Sequence, residues 1–336
     1  MKAVGFYAPA PIDQQDSLVD LDLPMPEPGP RDLRVQVRAV SVNPVDTKVR
    51  ASARPPAGEA RVLGWDAAGI VDKVGAEVTL FRPGDSVFYA GTLMRPGTNA
   101  EQHLVDERLV GPKPTSLDFA EAAALPLTSV TAWELLFTRL PLQRGDNTHG
   151  TLLVINGAGG VGSILIQLAR KLTDLTVIAT ASRPETAAWV ERLGAHHVVD
   201  HSRPLEQEVR ALGIEYVQYI AALTASDRHA GAMAEIIAPQ GHIVLIDDPK
   251  TFDIAPFKRK SVSLGWEFMF TRSLFATSDM AEQGRILGEV AKLVDRGALR
   301  TTLTERAGAL DATNLKRVHQ LVESGRALGK TVLEGF

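Results

Sequence analysis

The hydrophobic and polar positions of this chain follow two different rhythms. Over about the first 125 residues they alternate in short runs. Leu33–Val42, Ala68–Val74, Ser86–Tyr89 and Glu101–Val105 each read as a strand, and Glu27–Pro30 and Arg82–Asp85 carry the Pro-Gly signals of turns. Short strands with no helices between them predict a barrel or a strongly curved sheet. Near Pro126 the grammar changes to strands alternating with helices, the pattern of a parallel sheet covered by helices. Thr151–Asn156, Leu175–Thr180, His197–Asp200, Tyr216–Ala221 and His242–Ile246 read as strands. Val161–Leu172, with Ile164, Leu165, Leu168 and Leu172 on one face, reads as a helix, as do Pro184–Leu193, Arg203–Leu212 and Asp227–Ala238.

After about Trp266 the alternation stops. A helix near Met280–Arg296, a strand Arg300–Thr304, a helix near Ala312–Ser324 and a last strand Lys330–Glu334 remain, and they do not extend the α/β series. The predicted organisation is therefore a β-rich domain in two pieces, residues 1–127 and 267–336, with an α/β domain, residues 128–266, between them.

Composition narrows what such a chain does. At 336 residues, 45% of them hydrophobic and 23% charged, it is an ordinary globular chain that exceeds what one core usually serves. A net charge of -4 without a Lys/Arg stripe excludes a nucleic-acid footprint. There is no cysteine, so disulfides and thiolate zinc sites are excluded. The opening MKAVGFYAPAP has no charged-then-apolar signal pattern, and no apolar run approaches the ~20 residues of a membrane span. A soluble, cytoplasmic protein is expected.

The strongest local signal is Gly157-Ala-Gly159-Gly160-Val161-Gly162, placed between a predicted strand and a predicted helix. In a dinucleotide-binding turn, Gly157 allows the bend, Gly159 lets a pyrophosphate approach the backbone, and Gly162 lets helix and strand pack closely. The amides at the helix start, with the positive end of its dipole, then face the phosphates. The alternative is a glycine turn selected for packing alone. An NAD-preferring site places Asp or Glu at the end of the second strand to bond the ribose hydroxyls. Here that stretch reads Thr180-Ala-Ser182-Arg183-Pro-Glu185. A hydroxyl and a guanidinium suit a 2′-phosphate, so NADPH is the expected cofactor. An exposed arginine beside a capping serine is the plainer reading.

The segments Asn43–Lys48 (NPVDTK), Ala122–Trp133 (AAALPLTSVTAW), the GAGGVG turn and Gly329–Leu333 (GKTVL) resemble the medium-chain dehydrogenase/reductase superfamily over essentially the whole chain. Gly64–Gly69 (GWDAAG), Pro96–Glu101 (PGTNAE), Thr180–Thr186 (TASRPET) and Trp266–Arg272 (WEFMFTR) resemble its zinc-type alcohol dehydrogenase-like group, close to the quinone oxidoreductases. The resemblance implies a GroES-like β-rich catalytic domain, a Rossmann doubly wound parallel sheet between its two parts, and an active site in the cleft. It also implies a homodimer, Thr131 and the Asp247 region near the nicotinamide with Phe268–Phe270 beside it, and Lys330 near the cofactor phosphates.

The sequence departs from the zinc-bearing pattern. Asn43 stands where a Cys ligand is found, Trp65 and Asp66 replace the His-Glu pair, and the four-cysteine lobe has no counterpart. No structural or catalytic zinc is expected. His196, His197 and His201 fall on a strand and turn, where the spacing is too long to chelate one ion; His103 and His242 read as structural.

Without a Lewis acid, conjugate reduction makes milder demands than alcohol oxidation, because hydrogen bonds suffice to hold an enolate or hydroquinone anion. Candidate groups are Asn43, Asp46 and Lys48. Enone reductases of the resembling group also place Lys at the Lys48 position, so Lys48 bonds the substrate oxygen or delivers a proton, with Asn43 orienting the site. Alternatively Lys48 only pairs with Asp46 or a cofactor phosphate. Trp65 and Tyr89 either line the pocket or pack in the core. The expected activity is NADPH-dependent reduction of a small electrophile, a quinone or an α,β-unsaturated carbonyl. The rivals are an alcohol dehydrogenase with atypical zinc ligands and a non-catalytic NADPH-binding protein.

Overall fold

The unbroken apolar run Leu152–Ile155 is buried because Thr151–Ile155 lies inside a six-stranded parallel sheet in the computed structural model, which describes residues 1–145 and 149–336. Strand order across this sheet is His197–Val199, Thr176–Thr180, Thr151–Ile155, Val217–Ala222, Ile237–Leu245 and Ser263–Trp266. Numbered by appearance that is 3-2-1-4-5-6, the doubly wound order that leaves a crevice where the winding reverses. Helices Gly160–Leu172, Pro184–Arg192, Leu205–Ala211 and Ser226–Ile236 make the crossovers. Leu153, Ile178, Ile220 and Ile243 from the strands pack with Val209, Met233 and Ile236 from the helices, all inaccessible to solvent.

The last strand, Ser263–Trp266, pairs in parallel with Ile237–Leu245 and was not evident in the hydrophobic pattern. It is four residues long and includes Gly265, so it offers too few positions to establish a period.

The chain divides into two compact units, Thr131–Met269 and Met1–Val130 with Phe270–Phe336. The second of these is built on seven strands. Asp32–Ser41 pairs with Ala67–Val74, with Gln102–Asp106 and with the C-terminal Lys330–Glu334. The remaining members are Leu303–Arg306, Ser86–Tyr89 and Val110–Pro112. A three-stranded sheet of Lys2–Phe6, Val19–Asp22 and Arg61–Val62 completes the β structure.

Strands without intervening helices do not describe this region fully. Pro44–Ser52 is a helix, started by Pro44 and by the Asp46 carboxylate, which accepts from the Asn43 amide at 2.8 Å. Phe119–Ala123 is a second, with Asp118 and Glu121 forming a reciprocal cap. Both are polar or short, so their caps carry more information than their periodicity. No described helix is long and apolar enough to cross a membrane.

Two buried histidines make this unit acid-sensitive. His103 donates through Nε2 to the Pro96 carbonyl at 3.0 Å and accepts from the Tyr89 hydroxyl at 3.2 Å; burial pushes its pKa down to about 4. His319 is inaccessible and neither ring nitrogen has a partner; burial, then the nearby Arg50 charge, pushes it down to about 3. Between about pH 3 and 6.5 the unfolded chain binds a proton that folded His319 refuses, so stability falls as pH falls through that window. His319→Leu should change stability little above pH 7 and raise it by about 2 kcal/mol near pH 5, read as shifted urea midpoints. Equal acid sensitivity in wild type and variant would remove His319 as the cause.

Candidate functional site

The glycine turn joins strand Thr151–Ile155 to helix Gly160–Leu172. Its left-handed residue is Asn156, at φ 65°, and not Gly157. Gly157 is needed for another reason: a Cβ there would lie 2.8 Å from the Ala179 Cβ. At Gly162 a Cβ would lie 2.5 Å from the Gly157 carbonyl oxygen and 2.6 Å from that of Asn156, so helix and turn touch backbone to backbone. Gly159 is different. A Cβ there meets nothing nearer than the Asn156 side-chain amide, at 3.2 Å. Gly159 caps the helix with extended backbone, and its carbonyl accepts from the Ser163 amide at 2.9 Å. The amides of Gly160, Val161 and Gly162 open a 13-residue helix and have no partner within it. They and the dipole of that helix form a cradle suited to a pyrophosphate.

At the end of the neighbouring strand, Ser182 is exposed and Arg183 starts helix Pro184–Arg192, its amide donating to Thr186 Oγ1 at 3.1 Å. Arg183 Nε lies 3.3 Å from the exposed Glu185 carboxylate. Such a surface pair is worth little. Asp247, beyond strand Ile237–Leu245, accepts from the Ser226 amide at 2.9 Å and its hydroxyl at 2.6 Å, which fixes the start of helix Ser226–Ile236. Thr131 is buried in helix Pro126–Glu134.

In the other unit the sequence-predicted residues separate. Asn43, Asp46, Asp66 and Lys330 form a buried polar cluster, none more than 4% exposed. Asp66 collects four donors: the Leu127 amide at 2.7 Å, Asn43 Nδ2 at 2.8 Å, the Ser41 hydroxyl at 2.9 Å and Lys330 Nζ at 3.1 Å. Burial pushes its pKa up, and the Lys330 ammonium and the other donors oppose that and hold a carboxylate. Asp46 is pushed up to about 7, by burial first, against the pull of the Asn43 amide and the Lys330 charge. Lys330, expected near the cofactor phosphates, lies in this cluster. Its three ammonium hydrogens go to the Val42 carbonyl, Asn43 Oδ1 and Asp66 Oδ2, and it is 4% exposed, so none remains for a phosphate. Asn43 is likewise occupied, donating to Asp66 and accepting from Lys330. Lys48 is exposed, two positions beyond Asp46 on the same helix and so on its opposite side.

Trp65 and Tyr89 are core residues. Trp65 donates to the Thr92 carbonyl at 3.1 Å and meets Phe270 edge-on, and Tyr89 is inaccessible. Phe268 is exposed. The three neighbouring histidines have separate roles: His196 Nδ1 accepts from the Val177 amide, His197 begins a strand, and His201 Nδ1 meets the Thr180 hydroxyl. Sequence reasoning missed Asn156, Thr180 and Asp66. An Asn directly before a glycine turn is a recognisable left-handed candidate. Nothing local marks Asp66 as the centre of a cluster.

Residues 29–126 match the alcohol dehydrogenase GroES-like domain family, and residues 193–333 match the zinc-binding dehydrogenase family. A zinc-type alcohol dehydrogenase-like protein of Staphylococcus epidermidis is 38% identical over 336 residues, 99% of each chain. A quinone oxidoreductase of Pseudomonas aeruginosa is 31% identical over 91% of this chain and 92% of its own. A crystal structure from Rhizobium etli CFN 42, provisionally described as a zinc-dependent alcohol dehydrogenase, is 60% identical with a TM-score of 0.96 over 100% of this chain and 98% of its own.

Zinc in those names asks whether this donor set fits the metal. Among the described residues no group of three or more His, Asp or Glu side chains is arranged to hold an ion. Asp66, the one carboxylate at the sequence position of the family's ligand motif, already has both oxygens engaged, one of them by an ammonium. A divalent cation there would face a buried positive charge about 3 Å from its ligand. These residues do not fit zinc.

Proposed function

The chain belongs to the medium-chain dehydrogenase/reductase superfamily and is an oxidoreductase of it, and from that premise we propose a cytoplasmic, NADPH-dependent reductase of quinones or α,β-unsaturated carbonyls. The observation that carries the cofactor choice is the end of strand Thr176–Thr180, where Ser182 and Arg183 stand in place of an acid and Arg183 is opposed by Glu185. The turn amides of Gly160, Val161 and Gly162 bind the pyrophosphate, and Ser182 and Arg183 bind the 2′-phosphate. Thr131 is assigned to the nicotinamide end by the resemblance alone.

When bound, NADPH supplies hydride to an electron-poor carbon, and negative charge moves to the acceptor's oxygen. Lys48, exposed on its helix, donates a hydrogen bond or proton to that oxygen. One such donor contributes about 3–4 kcal/mol to the transition state. Asn43 and Asp46 act as positioning residues: their buried bonds fasten the start of the helix that presents Lys48. The relationship to a quinone oxidoreductase supports this acceptor class. A homodimer belongs to the same reading, supported by the exposed Trp266 on the outermost strand.

The test is turnover of NADPH and NADH with a benzoquinone, a naphthoquinone, an enone and an alcohol. NADPH is expected to be used at least about tenfold more efficiently, as two charge-assisted bonds to a phosphate warrant. Lys48→Ala should lower kcat by roughly a few hundredfold and leave NADPH affinity unchanged. An NADH preference would remove the role given to Arg183. Stoichiometric zinc with chelator-sensitive alcohol oxidation would replace the proposal with a zinc enzyme. Tight NADPH binding with no acceptor turned over would leave a non-catalytic binding protein.

A further inference from the structure

We propose that His201 is a positioning residue for the dinucleotide turn, acting through the Thr180 hydroxyl on the backbone amide of Asn156. The inference rests on the reading that this turn holds a nicotinamide dinucleotide. It adds a residue that neither the glycine fingerprint nor the strand-end pattern contains.

Thr180 closes the strand beside the turn and grips it twice. Its carbonyl accepts from the Gly157 amide at 3.1 Å, and its Oγ1 accepts from the Asn156 amide at 2.9 Å. The grip helps fix Asn156 in a left-handed backbone at φ 65°, which Asn tolerates better than other residues with a Cβ but which still costs more than the right-handed form. A threonine hydroxyl has one hydrogen to give. With its oxygen facing the Asn156 amide, that hydrogen needs an acceptor on the other side, and His201 Nδ1 lies there at 2.8 Å. The ring then carries its proton on Nε2 and is neutral. Partial burial lowers the His201 pKa and favours that form, while the adjacent Asp200 opposes it. The loop carrying His201 is fixed in turn, since Ser202 donates to Asp200 through both its amide and its hydroxyl.

The consequence is a relay from ring to hydroxyl to amide. Without the Nδ1 acceptor, the Thr180 hydroxyl rotates its hydrogen toward another partner and competes with the Asn156 amide. The bend that sets the direction of the following amides then loosens. A ring that merely filled space would have no such effect on the turn.

The experiment is NADPH affinity, by calorimetry on the full chain, for wild type, His201→Leu, Thr180→Val and the double variant, with a thermal midpoint for each. His201→Leu should raise Kd about tenfold, the scale of one lost buried bond. Thr180→Val should cost at least as much, and the double variant no more than Thr180→Val alone, because the relay is broken once. His201→Gln, whose Oε1 accepts, should restore most of the affinity. If Leu does not fold at this position, Ala completes the same cycle. Additive losses, or wild-type affinity in His201→Leu, would refute the relay while leaving the cofactor site standing. Failure of wild type to bind NADPH or NADH would instead overturn the reading of the turn, and the relay with it.

Discussion

Gly162→Ala should raise the Kd for NADPH at least about a hundredfold, equivalent to ~2.7 kcal/mol. The added methyl has no place to go: it would lie 2.5 Å and 2.6 Å from two backbone carbonyl oxygens of the turn. Neither oxygen belongs to a side chain that can swing away, so the helix start must move off the strand end. The cradle amides move with it. Gly159→Ala separates this packing role from ligand approach. Its Cβ meets only the Asn156 side chain, at 3.2 Å, so the fold should tolerate it and the thermal midpoint should hold. A pyrophosphate approaching the backbone would still meet the methyl, and affinity should fall by about tenfold or more. Unchanged NADPH affinity in Gly159→Ala would mean that the pyrophosphate does not approach the backbone at Gly159.

That contrast also shows where sequence reasoning reaches. Strand Thr151–Ile155, helix Gly160–Leu172 and the closing strand Lys330–Glu334 are legible because their cues are local: an unbroken apolar run, a 3.6-residue stripe, and a β-branched Thr-Val step after the Gly329 turn signal. The fingerprint is legible too, but not which of its residues takes the left-handed backbone. Asn156 takes the left-handed backbone, and Gly157 is there for the Ala179 side chain across the sheet, a neighbour that only folding supplies. Helix Pro44–Ser52 was hidden in a region of strands because its sequence is mostly polar and only its Asn-Pro-Val-Asp start speaks. Lys330 was read from its motif as a phosphate ligand. Its partner Asp66 lies 264 positions away, and no pattern along the chain announces a contact of that span.

The Asp66–Lys330 pair sets up the second large effect. Lys330→Met should destabilise the unit by about 3–5 kcal/mol, because it leaves the Asp66 charge buried and short of its counter-ion. For a unit of this size that is a fall of about 10 °C in the thermal midpoint. Burial already pushes the Asp66 pKa up and loss of Lys330 pushes it further, so part of the cost is taken by protonation. Three neutral donors would still face Asp66, from Ser41, Asn43 and Leu127, which favour the carboxylate that burial disfavours. Removing both charges should recover much of the loss. In Asp66→Asn with Lys330→Met the amide oxygen keeps some of those donors and no charge remains buried, so the double variant should be more stable than Lys330→Met alone. NADPH affinity separates this cluster role from a role at the cofactor phosphates. Folded Lys330→Met, kept well below its midpoint, should bind NADPH as wild type does, since its ammonium is fully engaged with Val42, Asn43 and Asp66. A large loss of NADPH affinity with an unchanged thermal midpoint would return Lys330 to the phosphates and dissolve the buried cluster as an explanation.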